Sequence, residues 1–181
     1  MSQKIFLAGG TCSGKSILAR RIAAHTGYTL ASFGDILRKY AANIGYPSTR
    51  GDLQRLGQEL IDKLGYGGLL QWTIEQSPHI QWNQSLVLDG VRHVMLYEHL
   101  VCMFPQNVLV YCVCDKETQL VRLKNRDGIS REDAESILSH KLEKLVSTLE
   151  SKAHLFFRPE DSIKDFLVKL DAVNTDCRKK H

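Results

Sequence analysis

Eight residues near the N-terminus, Gly9-Gly10-Thr11-Cys12-Ser13-Gly14-Lys15-Ser16, restrict this chain more than any other stretch. They satisfy G-x-x-x-x-G-K-[ST] through Gly9, Gly14, Lys15 and Ser16. A short apolar run, Lys4 to Ala8, leads in, and an amphipathic run, Ile17 to His25, leads out. A strand that turns through glycines into a helix makes a phosphate cradle. Successive backbone N–H groups of Gly10, Thr11, Cys12, Ser13 and Gly14 form an anion nest, and the following helix adds the positive end of its dipole. Lys15 reaches the β- and γ-phosphates, and the Ser16 hydroxyl is placed to ligate Mg²⁺. The expected ligand is a nucleoside triphosphate.

A length of 181 residues fits one domain that buries its core without staples. The net charge of +4 suits small polyanions and falls short of a nucleic-acid-binding composition, with no basic block longer than Arg178-Lys179-Lys180. Five cysteines without C-x-x-C spacing read as reduced thiols of a cytoplasmic protein. Gly9 breaks the first apolar run, and no 18 apolar residues run together, so neither a signal peptide nor a membrane span is expected. His79, His93, His99 and His154 lack metal-ligand spacing and read as structural or surface residues, and Trp72 and Trp82 read as packing.

Taken in order, the pattern predicts a helix over 15–25 capped by Gly27, a strand over 28–33 and a helix over 36–42. Helices over 52–60 and 69–75 follow, the first with Leu53, Leu56, Leu60 and Ile61 on one face. A buried strand over 84–89 ends in Asp89, and a helix over 93–102, a strand over 108–113 and a helix over 116–125 come next. Ser130-Arg131-Glu132-Asp133 fits a capping box and opens a long helix to about 151. A strand over 154–157 precedes a final helix from Pro159 through Leu170, and the tail from Asn174 to His181 is expected to be disordered. Alternating strands and helices predict an α/β fold of P-loop NTPase type. Its parallel five-stranded sheet carries helices on both faces and binds ligands outside its carboxyl edge, where Gly9, Asp35, Asp89, Asp115 and Arg158 fall. In this single domain, 1–33, 84–121 and 150–173 form the core, about 34–80 a helical acceptor-binding insertion, and about 122–135 a short lid.

Four further segments resemble nucleoside monophosphate kinases. Gly34-Asp35-Ile36-Leu37-Arg38 is similar to the Gly-Asp-hydrophobic-Leu-Arg segment of adenylate kinases, where the arginine grips the acceptor's phosphate. Leu88-Asp89-Gly90-Val91-Arg92 resembles that family's Leu-Asp-Gly-Phe-Pro-Arg, Arg122-Leu123-Lys124-Asn125-Arg126 its lid-opening arginine pair, and Arg131-Glu132-Asp133 the continuation. The resemblance implies ATP- and Mg²⁺-dependent transfer of a phosphoryl group to a (deoxy)nucleoside monophosphate by a monomer or homodimer whose partners are nucleotides. Phe33 departs from the usual small hydroxyl residue before Gly-Asp, only four residues separate Arg126 from Arg131, and His140-Lys141 occupies the region of a further arginine. The chain also resembles the wider group containing deoxynucleotide monophosphate kinases and dephospho-CoA kinases.

Under that resemblance Lys15, Arg38, Arg92, Arg122, Arg126 and Arg131 supply the positive clamp that phosphoryl transfer needs. Asp89 either holds Mg²⁺ through water or caps the next helix. Asp35 either caps its own helix or acts as a general base, which a hydroxyl acceptor requires and an anionic phosphate does not. Arg50, Gln54 and Gln58 line the acceptor pocket or form a polar helix face, and Arg158 with Pro159 backs the adenine. Cys12 fills space in the loop or renders it oxidation-sensitive. Two rivals remain: a kinase for a hydroxyl acceptor such as dephospho-CoA or a nucleoside, and a P-loop module that senses ATP without turnover.

Overall fold

Alternation along the first strand, β1 (Lys4–Gly9), dictates the layering. In the computed structural model, which describes residues 2–139 and 145–179, Phe6 and Ala8 enter one apolar layer and Ile5 and Leu7 another. A strand buried on both faces must be covered on both, as parallel sheets are. The remaining strands are β2 (Thr29–Ser32), β3 (Leu86–Val91), β4 (Asn107–Cys112) and β5 (Leu155–Phe157). All pair in parallel in the order β2-β3-β1-β4-β5, with β1 at the centre. Helices α1 (Lys15–Thr26) and α7 (Ile163–Lys179) cover one face through Leu18, Ile22, Phe166 and Leu170. The other face receives Ile36 from α2 (Phe33–Asn43), Leu56, Leu60 and Leu70 from α3 (Arg50–Glu75), and Leu96 and Leu100 from α4 (Val94–Met103). Helices α5 (Lys116–Asp127) and α6 (Arg131–Ser139) share a third, small cluster at Leu120, Leu123 and Ala134. The fold is thus the expected five-stranded α/β fold of P-loop type. No helix among the described residues is long and apolar enough to cross a membrane.

Several boundaries differ from the sequence expectation, each for a local reason. Phe33 belongs to α2, because the Ser32 hydroxyl accepts the Asp35 N–H at 3.3 Å and caps the helix there. The two helices expected over 52–60 and 69–75 are one element, α3, kinked at Gly65 (φ 67°, ψ 177°). Pro159 does not open the last helix. Residues 158–161 turn, with the Asp161 N–H donating to the Arg158 carbonyl at 3.1 Å, and α7 starts at Ile163. That helix continues to Lys179, through most of the tail expected to be disordered. The helix opened by the capping box is described as α6 up to Ser139, and a 3₁₀ turn spans Glu150–Lys152. His140 and Lys141 lie outside the described residues.

Candidate active site

The glycine-rich loop opens at Gly9, where close contacts leave no room for a side chain. A Cβ on Gly9 would lie 2.7 Å from the Cys112 carbonyl oxygen and 2.8 Å from Ser13 Oγ, and its φ of 143° excludes other residues independently. Cys12 holds a left-handed φ of 58°, alone among the described non-glycine residues. Gly14 caps α1, and the Ile17 and Leu18 N–H groups donate to its carbonyl at 3.0 Å. Lys15 is buried, and its Nζ donates to the Gly10 carbonyl at 2.8 Å, so the ammonium lies across the loop. Ser13 Oγ is buried in the loop without a hydrogen-bond partner. From α5, Gln119 Nε2 donates to the Thr11 carbonyl at 2.8 Å and Arg122 Nη1 to the Cys12 carbonyl at 3.2 Å, bracing the loop from outside.

Beside the loop, β3 delivers Asp89. Its register against β1 slips between Leu7↔Asp89 and Ala8↔Val91, so Gly90 forms a bulge. The bulge returns Val91 to the layer of Leu86 and Leu88 and leaves Asp89 on the side of α1. There Ser16 Oγ donates to Asp89 Oδ2 at 2.5 Å, and the helix-capping alternative for Asp89 is absent, since α4 is capped at His93. Asp89 Oδ1 is buried without a partner. A hydroxyl and an unsatisfied carboxylate in contact fit Mg²⁺. No group of three or more His, Cys, Asp or Glu gathers among the described residues, so phosphate and water would complete the shell, as Mg²⁺ prefers.

A cavity of about 1530 Å³ opens at this sheet edge. Arg38, Arg50, Arg92, Arg122 and Arg126 all line it, together with Gln54 and Gln58. Arg50 donates through Nη2 to Thr11 Oγ1 at 2.8 Å and through Nη1 to Asp127 Oδ2 at 3.4 Å. Burial, then the charges of Arg126 and Arg92, pull its pKa below the ordinary arginine value. Crowded guanidiniums of this kind are relieved by an anion. Arg126 is gripped by Asp127 through two bonds of 2.6 and 2.7 Å, which raise the arginine's pKa and lower the carboxyl's. Arg38 pairs with Asp35, whose side chain is 71% exposed and is not among the described residues lining the cavity. Arg131 is likewise drawn elsewhere, paired at 2.9 Å with Glu117 and at 3.0 Å with Glu135 on the surface. Arg158 contributes its backbone N–H to Asp161 at 2.7 Å, while its neighbours Phe157 and Pro159 reach the cavity beside Ile163. Gln58 also bonds Asp62 at 2.8 Å.

Away from the loop, Phe33, Leu37, Leu53, Ile61, Leu69, Trp72 and Leu96 give the cavity an apolar end. His93, expected to be structural or on the surface, is buried there and lines it, with Nδ1 3.3 Å from the Tyr66 hydroxyl. Burial and Arg92 lower its pKa, which keeps the ring neutral. Trp72 packs edge-on against Tyr40 at 5.0 Å and also faces the cavity, whereas Trp82 stacks on Phe104 at 6.4 Å. Sequence reasoning missed His93, Gln119 and Asp127. The position of His93, directly after Asp-Gly-x-Arg at a strand end, is the signal that was available.

The sequence pattern of the AAA domain family matches residues 5–143, and the chain belongs to that family. A UPF0200 protein of Aeropyrum pernix is 27% identical over 114 residues, covering 63% of this chain and 59% of the relative. The match thus spans a little under three fifths of that relative's length. A gluconokinase from Sinorhizobium meliloti superposes with a TM-score of 0.60 at 14% identity, over 98% of this chain and 94% of that one. A shikimate kinase from Acinetobacter baumannii, solved with shikimate, gives 0.53 at 18% identity over 97% and 94%. These likenesses establish a fold shared with P-loop kinases.

Proposed function

We propose that the chain is an ATP- and Mg²⁺-dependent phosphotransferase whose acceptor is a (deoxy)nucleoside monophosphate. One observation carries the choice of acceptor: a cluster of arginines beside the P-loop leads into an apolar, aromatic-walled cavity end. Guanidiniums suit a phosphate, and Phe33, Trp72 and Leu96 suit a planar base. His93 is the polar group there that a base edge meets. The divisions already named become roles in this reading: α2 and α3 form the acceptor side, and residues about 122–135 the lid.

The phosphoryl group leaves the bridging oxygen of the donor and bonds to an oxygen of the acceptor phosphate. Bound Mg²⁺ at Ser16 and Asp89 would neutralise donor phosphate oxygens. Lys15, Arg122 and the N-terminus of α1 hold the donor, and Arg38, Arg50, Arg92 and Arg126 align the acceptor in line with it. A phosphate monoester loses its last proton at about pH 6, so at neutral pH no base is needed. The outward turn of Asp35 supports this acceptor.

A second reading, transfer to a hydroxyl, has support in the fold likeness to a gluconokinase and a shikimate kinase. ADP release with a panel of monophosphates, nucleosides, dephospho-CoA, gluconate and shikimate separates the two. Turnover of one monophosphate, abolished by Lys15→Ala and Arg38→Ala, is expected. Turnover of a hydroxyl compound, with loss of several orders of magnitude in Asp35→Asn, would move the function to the second reading. ATP binding without turnover of any acceptor would move it to a sensor.

A further inference from the structure

We propose that Asp127 is a positioning residue, whose carboxylate sets the Arg126 and Arg50 guanidiniums in the register that receives the transferred phosphoryl group. The inference rests on the phosphotransferase reading but is indifferent to which acceptor is used.

Geometry comes first. Arg126 Nε meets Asp127 Oδ1 at 2.6 Å and Arg126 Nη2 meets Oδ2 at 2.7 Å, a bidentate pair that fixes the guanidinium plane. The same Oδ2 meets Nη1 of Arg50, which arrives from the start of α3, 77 residues away. The other Arg50 amino group holds Thr11 Oγ1 in the P-loop. One carboxylate therefore ties the end of α5, the start of α3 and the phosphate loop together. These bonds use Nε and Nη2 of Arg126 and Nη1 and Nη2 of Arg50. Among the described residues no hydrogen bond engages Arg126 Nη1 or Arg50 Nε, and both residues line the cavity.

Charge comes second. Burial, and after it the charges of Arg126 and Arg92, disfavour the Arg50 cation, and the charge of Asp127 opposes that. Local helix stability does not explain an aspartate here. Asp127 is the last residue of α5, directly before the Gly128 cap, where a negative charge opposes the helix dipole. Its cost to the helix is offset by what it does for the arginines.

Asp127→Asn tests this, because it keeps the shape and removes the charge. Binding of inorganic tripolyphosphate, read by calorimetry, is expected to stay equal or tighten, since a negative charge leaves the anion site. Turnover at saturating substrate is expected to fall about 10- to 100-fold, the scale of a small misplacement of an aligning group. Asp127→Glu should recover part of that loss. A general structural defect would weaken both together. In ligand-free protein, the slowly exchanging Arg126 Nε–H resonance, assigned with Arg126→Lys, should be lost in Asp127→Asn. That readout needs no acceptor, so it survives failure of the phosphotransferase reading. Turnover within about twofold of the parent, parallel loss of tripolyphosphate binding, or an unchanged Nε–H resonance would overturn the assignment. If Asp127→Asn does not fold, parent-like turnover in Asp127→Glu has the same force.

Discussion

At the scale of single residues, the loop tolerates little. Gly9→Ala forces a methyl against the Cys112 carbonyl at a φ that side chains avoid, and a strain of about 1–3 kcal/mol is expected. Chemical denaturation should register that loss, and ATP affinity should fall with it; parent-like stability would mean the loop relaxes. Asp89→Asn makes a separate prediction. Nucleotide binding in EDTA should persist while Mg²⁺-dependent turnover drops by orders of magnitude, because the anionic charge of the carboxylate that carries the unpaired Oδ1 is lost. Equal loss of both would make Asp89 a structural partner of Ser16 instead. The glycine-lysine-serine spacing displayed Gly9, Lys15 and Ser16 in the sequence, since the loop is local, and Asp89 stood out as the acid that ends an apolar strand. Asp127 was not visible there, because its meaning comes from Arg50, far away in the chain.

At the scale of elements, the strands were legible as short apolar runs, and their parallel direction followed from the helices between them, whereas the order β2-β3-β1-β4-β5 did not. The continuity of α3 was not. Gly65-Tyr66-Gly67-Gly68 reads as a helix breaker, yet Leu69 and Leu70 find the core beyond it and draw the chain back into helix. Gly65 alone supplies the φ of 67° and ψ of 177° that the kink requires. A Cβ there meets nothing within 4 Å, so Gly65→Ala should cost about 1–3 kcal/mol through backbone strain alone, and it should raise the acceptor KM more than the ATP KM. Equal changes in both would detach the kink from the acceptor side. The sheet edge carries a pH dependence. The Leu109 N–H donates to His154 Nδ1 at 2.9 Å, and burial lowers the pKa of His154 below 6.5, as it does for His93. The unfolded chain therefore binds these protons more readily, so stability is full above about pH 6.5 and is lost as pH falls through the folded values. The melting temperature should be level above about pH 6.5 and decline as pH falls below it, and less so in His154→Asn; an identical decline would assign it to other groups.

At the scale of the whole molecule, the topology does what no local pattern announces. It carries Arg38 and Arg50 from α2 and α3, Arg92 from the end of β3, and Arg122 and Arg126 from α5 to the walls of one cavity. The first arginine of the next helix, Arg131, is held on the surface by Glu117 and Glu135 instead. Such side-chain pairings depend on neighbours from other elements, which is why the family resemblance grouped Arg131 with the others. The apolar end likewise needed the fold, because Phe33, Trp72 and His93 come from three separate elements. The central claim is transfer of a phosphoryl group onto a phosphate, and ³¹P NMR of the product reads the new bond directly. With ATP, Mg²⁺ and the acceptor panel, the expected result is a second pair of coupled doublets, from the diphosphate of the acceptor, beside the pair from the released ADP, and both are absent in Lys15→Ala. An uncoupled phosphomonoester resonance, or inorganic phosphate alone, would contradict it.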